Sequence, residues 1–97
     1  MSGFALSPSA ISDMEEIWGY VAADNPDAAD ALEADIFAGC QLLAEQPEMG
    51  LKRPQWTKRP LRFWVVRKNY LLVYHPQSDP LQIVRILHAA RDVPSLL

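Results

Sequence analysis

The side chains best suited to chemistry lie in the second half of the chain. Cleavage of RNA through its own 2′-hydroxyl needs a general acid, a general base and cations that neutralise the phosphate charge. An imidazole can serve as acid or base because it titrates near neutral pH, and guanidinium groups fit phosphate oxygens. The candidates for such catalysis are His88, Arg62, Arg85 and Arg91.

Simpler structural roles compete with catalysis for these residues. His88 and Arg85 are three positions apart in a predicted strand, so regular alternation places them on opposite faces unless a bulge intervenes. His88 could instead make a structural hydrogen bond at the end of the sheet. Arg91 could form a local ion pair with Asp92. Both interpretations stay open at this point.

A second group of candidate residues surrounds a tryptophan in a predicted loop. Prolines and a glycine interrupt residues 47–60, which are also rich in lysine and arginine. An aromatic ring among cations is typical of a surface that stacks bases or binds an acidic chain. The alternative is that Trp56 anchors the loop over the edge of the core. The candidate partner-binding residues are Lys52, Arg53, Trp56, Lys58, Arg59 and Arg62.

The charges of the chain are divided between its two halves. Residues 1–51 contain ten acids and no lysine or arginine, whereas residues 52–97 contain nine bases and two acids. The halves therefore carry −10 and +7, which the net charge of −3 conceals. Such asymmetry indicates a partner of opposite charge, or a solvated acidic helix face beside a basic sheet.

The length and composition predict one domain spanning residues 1–97. A single cysteine, Cys40, excludes an internal disulfide and fits a small core position. We expect neither a metal site nor a cofactor, because the chain has no spacing typical of zinc ligands. It also has no secretory leader and no apolar run of membrane-spanning length, so we expect a cytoplasmic protein without membrane contact.

The order of predicted elements is a short strand, two helices and three strands, which is an α+β fold. The short strand covers residues 4–6, and the helices run from Pro8 to about Ala23 and from Pro26 to just before Pro47. Ser7 and Asn25 are suited to cap the helices, which should form an antiparallel hairpin covering one face of the sheet. Tight turns predict that the strands at 61–67, 70–75 and 81–88 form an antiparallel meander.

Apolar spacing predicts which residues face the core. The first helix has an apolar stripe that leaves its acids and Tyr20 largely outside, and the second helix has a longer stripe. Alternation in the last strand separates Ile83, Arg85 and Leu87 from Val84, Ile86 and His88. The predicted helix stripes are Ile11, Met14, Trp18 and Val21, then Ala29, Leu32, Ile36, Cys40 and Leu43.

Several short motifs, in this order, resemble the RelE/ParE superfamily of bacterial toxins. The helices begin with Leu-Ser-Pro-Ser-Ala at 6–10 and Asn-Pro at 25–26. Arg62 opens the meander, Leu-Leu-Val-Tyr lies at 71–74, and Leu-His-Ala-Ala-Arg-Asp at 87–92 closes the sheet. The resemblance covers residues 4–93. The closing motif and the two capped helices are more similar to the ParE branch than to the RelE branch.

The resemblance implies a toxin that forms a hetero-oligomer with a cognate, ParD-like antitoxin. Such an antitoxin binds operator DNA through a ribbon-helix-helix N-terminus and wraps a further segment around the toxin, where the basic loop could meet an acidic stretch. A ParE-type toxin inhibits DNA gyrase and has no known hydrolytic site, whereas a RelE-type toxin cleaves mRNA on the ribosome. A third possibility is an interaction domain that has kept the fold and lost its toxicity.

The net acidic charge favours the ParE-type interpretation, because ribosome binding is favoured by a broadly positive surface.

Overall fold

A helix hairpin packed on one face of a sheet is the main feature of the structure. The computed structural model describes residues 3–97. It confirms the predicted α+β architecture and the order of its elements. It also contains a two-residue strand and a short helix after the last strand, which were not predicted. The elements are β1 (Phe4–Leu6), α1 (Pro8–Ala22), α2 (Pro26–Glu45), β2 (Leu51–Lys52), β3 (Arg62–Val66), β4 (Tyr70–His75), β5 (Leu81–His88) and α3 (Val93–Leu96).

Both long helices begin at the predicted caps. The Ser7 Oγ accepts a hydrogen bond from the Ala10 N–H at 3.0 Å, and the Asn25 Oδ1 accepts one from the Ala28 N–H at 3.1 Å. A proline follows each cap. The N–H at this position has no acceptor within the helix, so a residue without an N–H is tolerated there. The short connection between α1 and α2 lets the helices pack against each other as a hairpin.

The strands form one sheet in the order β1-β5-β4-β3-β2 within residues 3–97. The predicted meander β3-β4-β5 is antiparallel, and β1 joins its β5 side in parallel, with Phe4 opposite Leu81. β2 was predicted as loop, but it pairs with the start of β3 through Leu51 opposite Phe63 and Lys52 opposite Arg62. The first and last strands along the sheet are therefore both short.

The core lies between the helices and the sheet. Every residue of the predicted α2 stripe is buried. The α1 stripe was partly wrong, because Ile11 is 46% exposed while Asp13 is only 7% exposed. α2 also comes close to the sheet at Gly39, where an added Cβ would lie 3.1 Å from the Val66 Cγ2. The buried residues of this layer are Ala10, Met14, Leu32, Ile36, Cys40, Leu43, Leu72, Tyr74, Leu81, Ile83 and Ile86.

The opposite face of the sheet carries a smaller apolar layer. α3 and Trp56 cover part of it. Neither this second layer nor α3 was predicted from the sequence. Its buried residues are Leu61, Phe63, Leu71, Val73, Leu87 and Val93.

A bulge in β5 changes which residues share a face. Val73 is opposite Arg85, and Tyr74 is opposite Ile83, so Val84 is the extra residue. Ile83 and Ile86 both pack on the helix side, whereas Val84 and Leu87 belong to the other layer. The predicted grouping of Ile83 with Leu87, and of Val84 with Ile86, was wrong because regular alternation does not include an extra residue.

None of the helices within residues 3–97 has both the length and the apolar character needed to cross a membrane.

Candidate functional site

Five of the six predicted partner-binding residues line one cleft. It lies between the loop that follows β2 and the turn after β4, where Pro76 and Gln77 close one side, and it measures about 470 Å³. Glu48 is the one acidic side chain among the described residues that line it. We call this surface the basic cleft; its basic residues are Lys52, Arg53, Lys58, Arg59 and Arg62.

A buried tyrosine holds the segment that leads into the basic cleft. The Tyr74 hydroxyl donates to the Pro47 carbonyl at 2.6 Å and accepts from the Gly50 N–H at 2.9 Å. Burial raises the pKa of Tyr74 above its usual value of 10.0. Gly50 is required here for space, since an added Cβ would lie 2.5 Å from the Tyr74 hydroxyl. The segment from 47 to 50 is therefore fixed to β4.

Arg62 is also committed to this segment. Its Nη1 donates to the Gly50 carbonyl at 2.8 Å and to the Glu48 carbonyl at 3.3 Å. The Nε is buried and has no hydrogen-bond partner among the described residues. Arg62 therefore positions the wall of the basic cleft in addition to lining it.

Trp56 faces away from the basic cleft. Its ring meets Phe63 edge-on with centroids 5.1 Å apart, and the Arg53 guanidinium lies 5.7 Å from its centroid. This packing anchors the loop on the second layer of the sheet. Trp56 also lines a shallow depression of about 350 Å³, which we call the apolar groove; its other lining residues are Met49, Leu51, Arg53, Phe63, Trp64, Val65 and Leu71.

His88 and Arg91 share a third depression, at the far end of the sheet. We call it the His88 groove; it measures about 440 Å³ and lies between α1 and the end of β5. The His88 Nδ1 accepts from the Ala90 N–H at 3.1 Å, and its ring meets Tyr70 edge-on at 5.4 Å between centroids. With Nδ1 occupied, a neutral His88 carries its proton on Nε2. The groove is lined by Asp13, Glu16, Ile17, Tyr20, Tyr70, Ile86, His88 and Arg91.

Arg85 has a structural partner that the sequence did not indicate. Its Nε and Nη2 bind the two carboxylate oxygens of Asp13 at 2.7 and 2.9 Å, and its Nη1 donates to the Leu96 carbonyl at 2.9 Å. The hydrogen bonds that Arg85 donates to the Asp13 carboxylate raise the pKa of Arg85 above its usual value. Asp13 was predicted to lie largely off the apolar face. The only feature of the sequence that could have indicated its buried role is its position beside buried residues of α1.

The four candidates for catalysis are not brought together. Arg62 is opposite Tyr74 and His88 is opposite Tyr70, so they are offset by four positions along β4, or roughly 13 Å along a strand. Arg85 is bound to Asp13. Of the four candidates, only His88 and Arg91 line a common groove in the described part of the chain.

Comparisons with known proteins identify the family. The model of the ParE toxin family of type II toxin–antitoxin systems, parDE, matches residues 4–93, and the chain therefore belongs to this family. The Y4kP protein of Sinorhizobium fredii is 31% identical over 88 residues, which cover 91% of this chain and 88% of the relative. Toxin RelE2 of Caulobacter vibrioides is 33% identical over 82 residues, which cover 84% of this chain and 89% of that relative.

The fold matches a solved structure as well. A chain of the chromosomal ParDE toxin–antitoxin system from P. aeruginosa superposes with a TM-score of 0.71, covering 91% of this chain and 96% of that chain at 22% identity. The resemblance drawn from the short motifs is thus confirmed. The protein is a toxin of a type II toxin–antitoxin system, a class whose partner is an antitoxin.

Proposed function

We propose that this toxin inhibits DNA gyrase and that a cognate ParD-like antitoxin neutralises it in the cytoplasm by forming a hetero-oligomer. The observation that carries the proposal is the match to the ParE family over residues 4–93. The separation of Arg62 from His88 and the engagement of Arg85 by Asp13 add support, because a gyrase inhibitor needs a protein-binding surface and no assembled hydrolytic site.

The charge distribution agrees with a protein partner. The acids of α1 and α2 carry most of the negative charge, so the surface is not broadly positive. Proteins that bind nucleic acid mainly through phosphates depend on many lysines and arginines acting together. In this chain five such residues are concentrated in the basic cleft. A local basic site of this kind suits a short acidic segment of an antitoxin.

A supercoiling assay tests the gyrase proposal. Purified toxin, shown to be folded by circular dichroism, should reduce gyrase supercoiling or increase the amount of cleaved DNA, and the co-expressed antitoxin should reverse the effect. Full supercoiling at saturating toxin would contradict the proposal.

A matched pair of variants tests the antitoxin site. Lys58→Glu with Arg59→Glu should weaken antitoxin binding at least about tenfold, because both charges line the basic cleft. Lys68→Glu changes an exposed lysine in the β3–β4 turn and should leave antitoxin binding unchanged. Equal losses in both variants would show a general charge effect and contradict a local site.

A RelE-type ribosome-dependent mRNA endonuclease is the second candidate function. The similarity to toxin RelE2 favours it, as does the presence of His88 and Arg91 in one groove. This function predicts codon-positioned cleavage in a translation reaction that is lost in His88→Ala. Intact mRNA during growth arrest would exclude it, and normal growth on induction would favour a non-toxic interaction domain instead.

A further inference from the structure

Most of the unpaired positive charge of the chain lies in the basic cleft. The ion pairs among the described residues are those of Arg67 with Asp35 and of Arg85 with Asp13. None of the five cations of the basic cleft therefore has a carboxylate partner in the described part of the chain, and Glu48 is the one acid beside them. Cations held close together repel each other, so an anion that neutralises several of them at once is bound favourably.

Hydrogen bonds fix the backbone of both walls of the cleft. The Arg53 carbonyl accepts from the Trp56 N–H at 2.9 Å and from the Thr57 N–H at 3.2 Å, which closes the loop after β2 into a turn. In the turn after β4, which forms the opposite wall, the Ser78 Oγ donates to the His75 carbonyl at 2.8 Å. Because the walls are already ordered, a ligand that enters the cleft does not have to order them.

Neutral donors accompany the cations, but aromatic rings do not. The Thr57 Oγ1 accepts from the Arg59 N–H at 3.1 Å, so the hydroxyl keeps its proton for donation to a ligand. Gln77 adds an amide on the opposite wall. Trp56 packs on Phe63, and none of the described residues that line the cleft is aromatic. Proteins that bind single-stranded nucleic acid stack its bases on aromatic rings, so this cleft is better suited to phosphate groups than to bases.

The size and charge density of the cleft favour a short phosphate chain over a peptide. Its volume of about 470 Å³ is within the range of small-molecule sites. Side chains on one face of an extended peptide are about 7 Å apart, so a peptide presents one carboxylate at each such step. A phosphate chain joins its charged groups through single bridging oxygens and therefore concentrates more charge in the same length. Guanidinium forks also match the spacing of phosphate oxygens.

We propose that the basic cleft binds a compact polyphosphate anion, that is, a chain of phosphate groups that is free or carried by a nucleotide. The guanidinium groups of Arg53 and Arg59 bind the phosphate oxygens, and the ammonium groups of Lys52 and Lys58 neutralise the remaining charge. Arg62 keeps the wall in place through its two carbonyl contacts. This site does not depend on which target the toxin inhibits.

Calorimetric titration of the full-length toxin tests the class of ligand. Mg²⁺ is omitted, because the metal would neutralise the phosphate chain. Inorganic triphosphate should bind at least about tenfold more tightly than orthophosphate, and also more tightly than citrate, a tricarboxylate. Equal binding of triphosphate and citrate would show a general attraction of anions and overturn the proposal. The absence of measurable triphosphate binding would overturn it as well.

A nucleotide distinguishes the two sources of the phosphate chain. Similar affinities for ATP and inorganic triphosphate would assign recognition to the phosphate chain alone, which is the result expected from a cleft without aromatic rings. Binding of ATP at least about tenfold more tightly would assign the site to nucleotides. Both outcomes support a polyphosphate site. Tighter binding of a short single-stranded RNA than of ATP would overturn it in favour of a nucleic-acid site.

A matched pair of variants locates the site. Lys58→Gln and Lys68→Gln each remove one charge from an exposed lysine, so the net charge changes equally. Lys58→Gln should weaken triphosphate binding at least about fivefold, because Lys58 lines the basic cleft, whereas Lys68→Gln in the β3–β4 turn should leave it unchanged. Triphosphate should also shift the amide resonances of residues 52–59. Equal losses in the two variants, or shifts confined to other residues, would overturn the proposal.

The polyphosphate site also affects the antitoxin. Lys58 and Arg59 are assigned to the antitoxin as well, so the two ligands should compete; this consequence alone rests on the proposed function. Saturating triphosphate should therefore weaken antitoxin binding. Unchanged antitoxin binding to the triphosphate-bound toxin would overturn the competition and place the antitoxin on another surface.

The site and the proposed function can fail separately. The titrations use the toxin alone, so a failure of triphosphate to bind overturns the polyphosphate site and leaves gyrase inhibition standing. Triphosphate binding by a toxin that does not affect supercoiling overturns the gyrase function and leaves the polyphosphate site standing.

Discussion

At the scale of single residues, Tyr74 shows how one buried polar atom shapes a distant surface. Its hydroxyl satisfies both the Pro47 carbonyl and the Gly50 N–H, which lie in the segment leading into the basic cleft. Buried polar groups that lose a partner cost more than the hydrogen bond itself contributes. Tyr74 is therefore a structural residue on which the geometry of the basic cleft depends.

Tyr74→Phe should reduce the free energy of unfolding by about 1–3 kcal/mol, because two backbone groups are left without their partner. Urea denaturation measures this change. Tyr20→Phe is the matched control, since Tyr20 is 85% exposed and its hydroxyl is solvated. A wild-type midpoint for Tyr74→Phe would show that the hydroxyl does not hold the segment.

At the scale of elements, the open side of β5 is completed by α1 and its N-cap. β1 pairs with β5 only as far as Ile83. Beyond that point the Ser7 Oγ donates to the Val84 carbonyl at 2.7 Å, and the Asp13 carboxylate accepts from the Ile86 N–H at 3.0 Å. The N-cap of the first helix and a side chain within it thus take over the hydrogen bonds that a longer strand would make.

Asp13→Ala should destabilise the protein by about 3 kcal/mol, because it leaves both the Arg85 guanidinium and the Ile86 N–H without their partner. The exposed pair between Arg67 and Asp35, at 2.6 Å, supplies the comparison. Asp35→Ala should cost less than about 1 kcal/mol, because solvent screens that pair. Thermal unfolding of the two variants distinguishes them, and equal losses would contradict the role given to Asp13.

The sequence predicts these elements better than it predicts their contacts. Ser7 and Asn25 define the helix starts because capping is a local interaction between neighbouring residues. The pairing of Asp13 with Arg85 is invisible in the sequence because 72 positions separate them. The bulge at Val84 and the two-residue β2 are set by strand pairing rather than by local preference.

The same distinction applies to the candidate sites. The basic cleft could be predicted because its cations are close together along the chain. The orientation of Trp56 toward Phe63 could not be predicted, because the loop has no apolar periodicity that would indicate packing on the second layer of the sheet. His88 and Arg91, which are three positions apart, were predicted in one set with Arg62 and Arg85, and the structure places these two in one groove. Arg62 and Arg85 were grouped with them only by residue type.

At the scale of the whole molecule, the core contains a thiol whose ionisation is opposed by burial. Burial raises the pKa of Cys40 from 9.0 to about 12. The unfolded chain therefore loses the thiol proton before the folded protein does. Stability from this residue is fully present below pH 9 and falls as the pH rises toward 12. Tyr74, whose pKa is also raised by burial, acts in the same direction.

The wild-type protein should therefore lose stability between pH 9 and pH 11 more steeply than Cys40→Ala does. Urea denaturation at several pH values gives both slopes. Below pH 9, a disulfide reagent should react with the thiol only when the protein unfolds, because Cys40 is fully buried. Identical slopes for the two proteins would contradict the assignment of this effect to Cys40.

The parallel pairing of β1 with β5 has a consequence for biosynthesis. β1 leaves the ribosome before the rest of the sheet, yet its only strand partner in the described sheet begins at Leu81. Contacts between distant parts of a chain form late in folding. We therefore expect a nascent chain that lacks β5 to be unable to adopt the native fold. The toxin would then reach its native fold only after β5 has been synthesised, and not while the two helices alone have left the ribosome.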